Sequence, residues 1–415
     1  MKILIISGNA YSANDSCANI VKVISSFLIK KGHKITFLTT DHDKTLSHKE
    51  DLNGSKYIFI SGSFERNIVH IGMADKWNDL SSKSKLLYML RHPKLLLCRL
   101  RHFVNPKYED YHFLFKKAIE RLCRKEYYDV VMSFSEPYFS SSALSEADIH
   151  CKKIMFQLDP YASNISRKDN YDVEIKKEIQ MIEKMNLIMM PPQLYAESSV
   201  SVLKKYIDKM ISVDYPNVRK IDYNSDFFRI EPIENKINCY YIGSFYDDIR
   251  EPDFLINLLT MPEFEDVVLH VLGGCYGENV KEKLQNGPVN MILHGLQPLE
   301  VALNTMLRAE ILVSINNIVK NQVPGKIYDY ISSGRPILNI CKMGDCPTIE
   351  ILEKYPMKCN VIETEKVTES QAQEIKEFLV NHRSRVIPYS GIENLYRSNT
   401  IEFVGNIIAE KISEI

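Results

Sequence analysis

The sequence predicts an α/β protein built from two doubly wound parallel-sheet domains in tandem. Three observations point there. Short apolar runs alternate with helix-length amphipathic segments in both halves, the first unit reads strand-helix-strand, and a polar stretch punctuated by prolines divides the 415 residues.

The run Met1 to Gly8 opens the pattern. Its apolar core is too short for a signal peptide and no small-residue cleavage site follows, so Ile3 to Ser7 reads as a buried strand. Ala18 to Lys31 places Ile20, Val21, Ile24, Phe27 and Leu28 at helical spacing, and Gly32 ends that helix before Lys34 to Thr39 forms the second strand. Further strands are expected at Val69 to Ile71, Asp129 to Phe134, Lys153 to Leu158 and Leu187 to Met190. The second half repeats the alternation with Cys239 to Ser244, Val267 to Leu272, Asn290 to His294, Glu310 to Ile315 and Ile337 to Cys341. Between the halves, Ser212 to Asn238 carries Asp214-Tyr215-Pro216-Asn217 and Glu231-Pro232, which predicts a boundary and domains over 1–212 and 213–391. A last helix is expected over 392–415, with Ile401, Val404, Ile408 and Ile412 on one buried face.

Composition excludes several function classes. Lys and Arg number 52 against 53 Asp and Glu, so a net charge of -1 gives no global reason for a nucleic-acid partner. With 45% hydrophobic and 25% charged residues, each half can bury a core of its own. The nine cysteines lack CxxC or CxxCH spacing, so neither a disulfide framework nor a structural zinc site is indicated, Cys341 and Cys346 read as ordinary thiols, and a reducing cytoplasm is expected. No stretch approaches eighteen apolar residues, because Arg91, His92, Pro93, Lys94 and Arg99 interrupt the most hydrophobic region.

The segment Val323 to Leu338 carries the most chemistry. Pro324 and Gly325 open a helix, Gly334 caps it in the left-handed conformation, and Pro336 stops it before the apolar run Ile337 to Ile340. Lys326, Asp329, Tyr330 and Ser333 share one face, which offers a cation, a carboxylate and two hydroxyls to a phosphorylated sugar or a nucleotide.

On these residues the segment resembles the donor-binding signature of the family 4 glycosyltransferases, retaining enzymes of the GT-B fold, in its form P-x-K-hydrophobic-x-E-Y-hydrophobic-x-x-G-x-P. The resemblance implies two Rossmann-like domains facing a cleft, with the C-terminal helix 392–415 crossing back onto the first domain. It implies that Asp329 stands where the family's glutamate binds the ribose hydroxyls and that Lys326 meets the diphosphate. In the commoner form a second glutamate lies eight residues earlier, where this chain has Asn321, whose amide can still bond a sugar hydroxyl. The family's first loop of this domain carries Gly-Arg. Here Gly243 is followed by Ser244, and Arg250 is the cation on offer, although it equally suits a surface pair with Asp247 or Glu251. His294-Gly295-Leu296 resembles the turn beside the nucleobase, where backbone groups read the base, and His294 also suits a purely structural role. Gly273, Gly274 and Gly277 make a turn without GxGxxG spacing, so a dinucleotide site is not supported.

The first half is expected to hold the acceptor at its strand ends. Asn14 and Asp15 follow the first strand, with Ser16 as a helix cap, and Glu136 precedes Pro137 after the strand ending at Phe134. Asp159-Pro160-Tyr161 is similar to the acidic turn that many bacterial members place near the reacting centre, and it also fits plain turn chemistry. Residues 83–103 interleave Lys83, Lys85, Arg91, Lys94, Arg99 and Arg101 with leucines, which suits an anionic membrane surface or a lipid-linked acceptor. A helix with leucines in a core and cations in solvent fits the same pattern.

The resemblance therefore implies a retaining hexosyltransferase that moves a sugar from a nucleotide-sugar donor to a polysaccharide or lipid-linked glycan in cell-surface polysaccharide synthesis. It implies no metal and no cofactor. Catalysis would rest on Lys326 and Arg250, which stabilise the leaving diphosphate, with Asp159 near the reacting centre. The expected location is cytoplasmic, at the inner face of the membrane. A nucleotide-sugar 2-epimerase and a non-catalytic carbohydrate-binding or scaffold subunit share the architecture and remain open alternatives.

Overall fold

The computed structural model describes residues 1–8, 16–40, 55–60, 80–93, 96, 111–135, 137–164, 170–247, 249–316 and 325–415. The chain forms two compact units, Met1–Pro216 together with Ile401–Ile415, and Asn217–Thr400.

In the first unit β1 (Lys2–Ser7), β2 (Lys34–Thr40), β3 (Lys56–Ile60), β4 (Val130–Ser135), β5 (Lys152–Gln157), β6 (Leu187–Met190) and β7 (Met210–Ser212) make one sheet. Its order is β3-β2-β1-β4-β5-β6-β7, and every neighbouring pair is parallel. Because side chains alternate across a strand, Ile3 and Ile5 enter one core and Leu4 and Ile6 the other. Helix Ser16–Lys30 covers the first face with Ile20, Val21, Ile24 and Leu28, while helix Tyr111–Lys125 covers the second with Phe115, Ile119 and Leu122.

The second unit repeats the scheme with β8 (Ile237–Ile242), β9 (Phe245–Tyr246), β10 (Val267–Leu272), β11 (Cys275–Tyr276), β12 (Met291–Gly295), β13 (Ile311–Ile315), β14 (Ile337–Cys341) and β15 (Lys358–Ile362). The main sheet runs β12-β10-β8-β13-β14-β15, all parallel, and β9 pairs with β11 beside it. In both units the strand order reverses next to the first strand, between β1 and β4 and between β8 and β13. Doubly wound sheets bind ligands at the carboxyl ends of the strands at such a point.

Two expectations need correction. The last helix does not run from 392 to 415. Helix Tyr389–Leu395 ends, Arg397–Asn399 makes a tight 3-10 turn, Thr400 turns extended, and Ile401–Glu414 is a separate helix. The break exists because Val218 pairs its backbone with Asn399 and Thr400. Val404, Ile408 and Ile412 then join the first unit's core, each contributing roughly 2 kcal/mol by burial, and Gly405 lets helix Ser16–Lys30 approach, since a Cβ there would lie 2.4 Å from the Phe27 ring. The strand set is the second: β3, β7, β9, β11 and β15 add to those expected from the sequence. The expected strand Val69 to Ile71 lies outside the described residues.

Candidate functional site

In the second unit the loop after β8 is pinned on several sides. A Cβ on Gly273 would sit 1.8 Å from the Gly243 carbonyl oxygen, so the loops after β8 and β10 pack backbone to backbone and only glycine fits. The Gly274 N–H donates to Ser244 Oγ at 3.0 Å, and the Tyr241 hydroxyl donates to the Ser244 carbonyl at 2.9 Å. Where the resembling family has a phosphate-gripping arginine, the hydroxyl of Ser244 is thus engaged in joining two loops.

Arg250 is returned to this loop by a tight turn. Its N–H donates to the Tyr246 carbonyl and its carbonyl accepts from the Tyr246 N–H, both at 3.0 Å, and its Nη1 lies 3.5 Å from the Tyr241 hydroxyl. Asp247 Oδ1 accepts from the Val280 N–H at 2.9 Å and caps helix Glu278–Gln285, while Glu251 pairs with Lys283 at 3.0 Å.

Helix Lys326–Ser333 starts at Gly325 and ends at Gly334, which is left-handed at φ 69° as expected. Its polar face is not wholly available to a ligand. Tyr330 is buried and its hydroxyl accepts from the Ile242 N–H at 2.9 Å, and buried Ser333 donates to the Tyr330 carbonyl at 2.6 Å. These two hydroxyls fasten the helix to β8 and to itself. Lys326 and Asp329 are the more open members of the face.

Lys326 Nζ donates to the Ile242 carbonyl at 2.8 Å, which fixes its tip at the end of β8, although the residue as a whole is exposed. Burial of that tip pulls the ammonium pKa down, and the nearby Arg250 charge pulls it further, against a smaller opposing effect of Asp329. No carboxylate lies within ion-pair distance of Lys326 among the described residues. Asp329 is pushed up by burial, opposed first by Arg219 and then by Lys326, and its Oδ1 accepts from Arg219 Nη2 at 3.2 Å. Arg219 was not legible as a site residue in the sequence, because nothing in its own neighbourhood marks it; it reaches Asp329 across 110 residues of chain.

His294 ends β12 in a wired histidine pair. Asn238 Nδ2 donates to the Ile233 and Lys236 carbonyls, so its Oδ1 must accept, and it does so from the Ile233 N–H at 2.8 Å and His270 Nε2 at 3.0 Å. Burial depresses His270 to about 4, which keeps it neutral, so its Nδ1 accepts from His294 Nε2 at 3.0 Å. Gly295 has φ 67° and Leu296 is exposed, while Gln297 donates to the His294 carbonyl at 2.6 Å.

In the first unit Asp159 follows β5. The Leu158 N–H donates to Ser135 Oγ at 2.9 Å, the Tyr138 hydroxyl donates to the Asp159 carbonyl, and the Tyr215 hydroxyl donates to the Leu158 carbonyl. Buried Glu178 holds the next turn, accepting from Gln157 Nε2 at 2.8 Å and the Ala162 N–H at 3.1 Å. The backbone around Asp159 is therefore rigidly held, yet its carboxylate has no hydrogen bond or ion pair among the described residues, and burial alone pushes its pKa up. A desolvated, unpaired carboxylate at a strand end suits a functional site.

Asn14, Asp15, Glu136, Asn321 and Pro324 lie outside the described residues. Gly243, Ser244, Arg250, Gly325, Lys326, Asp329 and Tyr330 gather at the β8 end, His294, Gly295 and Leu296 lie at the edge strand β12, and Asp159 belongs to the first unit. Among the described residues no group of three or more His, Cys, Asp or Glu is placed to hold a metal ion.

Two doubly wound units of this order in one chain make a GT-B fold. Solved glycosyltransferase structures share it. Sucrose-phosphate synthase from Thermosynechococcus elongatus is 12% identical with a TM-score of 0.61, covering 100% of this chain and 98% of that one. A UDP-forming α,α-trehalose-phosphate synthase from Burkholderia xenovorans is 10% identical with a TM-score of 0.61, covering 99% and 98%. WaaG, a glycosyltransferase involved in lipopolysaccharide biosynthesis, is 14% identical with a TM-score of 0.52, covering 99% of each chain. No protein-family model and no curated protein matches the sequence.

Proposed function

We propose that this chain is a retaining glycosyltransferase of the family 4 type, which takes a hexose from a nucleotide-sugar donor and delivers it to a polysaccharide or lipid-linked glycan acceptor. The observation that carries this reading is Lys326: a partly desolvated ammonium beside Arg250 at the switch point of a doubly wound sheet, with no carboxylate in ion-pair reach among the described residues. Such a cation is held at a cost that a diphosphate would offset.

On this reading Lys326 and Arg250 stabilise the charge that grows on the leaving diphosphate, and Asp329 receives the ribose hydroxyls after exchanging Arg219 for them. The chemistry asks for no metal and no cofactor. Asp159 stands near the reacting sugar on the acceptor side, and no protein base is required if the donor phosphate takes the acceptor proton. The GT-B neighbours support the transferase class, and the UDP-forming synthase among them supports a nucleotide-diphosphate donor. A lipid-linked acceptor also accounts for helix Ser82–Arg91, where Leu86, Leu87 and Leu90 stand more than half exposed beside Lys83, Lys85 and Arg91.

The test is a thermal-shift panel of UDP, GDP, dTDP and CMP with their common sugar conjugates, without added metal, on wild type and Lys326→Ala. A ligand held by the folded chain alone must raise its melting temperature, by about 2.7 kcal/mol of stability at a hundredfold excess over Kd. The expected result is a shift with one nucleotide class, lost in the variant, followed by nucleoside diphosphate release when acceptor glycan is supplied. Absence of any shift, or an equal shift in Lys326→Ala, would overturn the reading.

A further inference from the structure

The carboxyl end of β14 holds a cluster of buried thiols and amides that the transferase reading does not use. Cys341 is wholly buried and Cys346 is 6% exposed. Both sulfurs approach one hydroxyl, Cys346 Sγ at 3.3 Å and Cys341 Sγ at 3.8 Å from Thr348 Oγ1. Asn339 Nδ2 lies 3.2 Å and Asn316 Nδ2 3.5 Å from Cys341 Sγ. The two thiols thus meet at one hydroxyl and lie close enough to influence each other's ionisation.

This is a setting for thiolate chemistry. Hydrogen bonding from Cys341 first, then from Thr348, pulls the Cys346 thiol below its ordinary range, while the same bond pushes Cys341 up. By contrast, Cys239 is buried with only desolvation as its main influence and is pushed up. One sulfur is thus poised as nucleophile and the other lies beside it as a resolving thiol.

We propose that Cys346 and Cys341 form a reversible oxidation site, which hydrogen peroxide or another small hydroperoxide converts to an intramolecular disulfide. The Cys346 thiolate attacks a peroxide oxygen, the O–O bond breaks, and the departing hydroxide takes up a proton to become water, leaving a sulfenic acid. Cys341 sulfur then attacks Cys346 sulfur, the S–O bond breaks, and the hydroxyl leaves as water with the Cys341 proton. Two thiols are oxidised and one peroxide is reduced. Cys346 is the less buried of the two, which makes it the sulfur that meets a small hydroperoxide first.

The site has a route to the donor helix. Asn316 follows β13 directly and precedes the segment that leads to Gly325 and Lys326, and its Nδ2 contacts Cys341 Sγ, Asn339 Oδ1 at 2.7 Å and the Ile340 carbonyl at 3.0 Å. Forming the disulfide removes a sulfur acceptor from that anchor.

The sequence makes the test clean. Trypsin cuts after Lys326, Lys342 and Lys354 but not between Arg335 and Pro336, so Ile327–Lys342 and Met343–Lys354 each carry a single cysteine. Full-length protein is treated with peroxide near stoichiometry, blocked with iodoacetamide and digested without reductant. The expected product is the two peptides joined by a disulfide, formed before Cys239 is oxidised, reversed by dithiothreitol and absent in Cys346→Ser. Cys341→Ser is expected to trap Cys346 as sulfenic or sulfinic acid. Unlinked peptides in wild type, or Cys346 oxidising no faster than Cys239, would overturn the proposal. This readout needs no nucleotide, so it stands or falls apart from the transferase assay.

Discussion

Asp159 and Lys326 each carry charge where burial opposes it, and the sign of that opposition can be measured. The folded-state pKa of Asp159 lies above its ordinary value of 3.8. Below that ordinary value the carboxyl is neutral in folded and unfolded chains alike and costs nothing; as pH rises through the folded value, ionisation costs the native state stability. Asp159→Asn is therefore expected to melt higher than wild type at neutral pH, with the gain vanishing at pH values below the ordinary 3.8 of the carboxyl, while transferase activity falls. An equal or lower melting temperature at pH 7 would remove the desolvated carboxylate from the account. Lys326 and Asp329 were legible in the sequence because their spacing along one helix is local. Arg250 is also marked in the sequence, as the cation nearest the loop where Ser244 stands, whereas Arg219 beside Asp329 and the Asn238 link behind His270 and His294 come from distant chain and leave no local trace.

At the level of elements, the legible pieces were those whose signal is complete within a few residues. Central strands such as β4 and β13 are buried on both faces and read as mostly apolar runs, whereas the edge strand β15 mixes polar residues into its run, Lys358-Cys359-Asn360-Val361-Ile362, and the edge strand β7, Met210-Ile211-Ser212, is too short to show a period. For those reasons β7 and β15 leave little local signal, whereas β3, Lys56-Tyr57-Ile58-Phe59-Ile60, is as apolar as a central strand. Glycines show the same division. The left-handed cap at Gly334 was predictable from Gly-x-Pro after a helix, but its second duty was not: a Cβ there would lie 2.0 Å from the Ile387 carbonyl oxygen. Gly32, also at positive φ, has open space around its missing Cβ. Gly32→Ala should therefore lose only the backbone term, about 1–2 kcal/mol, and Gly334→Ala distinctly more, as read from urea midpoints. Equal losses would deny the collision.

For the whole molecule, a net charge of -1 conceals local imbalance. Helix Ser82–Arg91 has no buried residue, so the alternative that its leucines pack in a core does not hold for the described part of that segment. No helix among the described residues is long and apolar enough to cross a membrane. A peripheral contact would show as sedimentation with vesicles containing anionic phospholipid, weakened by salt and abolished by Leu86→Gln, Leu87→Gln and Leu90→Gln together, with each nearby cation adding about 1 kcal/mol. Sedimentation that is unchanged in the triple variant would dismiss this surface. The tandem architecture itself was readable because alternation of runs and helices is a property of the entire chain, and one division in it suffices to make two units.

The return of Ile401–Ile415 to the first unit has a consequence for how the chain is made. The residues that clothe Ile20, Val21 and Ile24 are Val404, Ile408 and Ile412, and they are translated after the whole second unit. Nearly four hundred residues of nascent chain must wait with that apolar face incomplete, while the second unit, contiguous in sequence, can close as soon as it leaves the ribosome. The order of synthesis and the order of structural completion are thus inverted for the two units, and helix Ile401–Glu414 acts as the clasp.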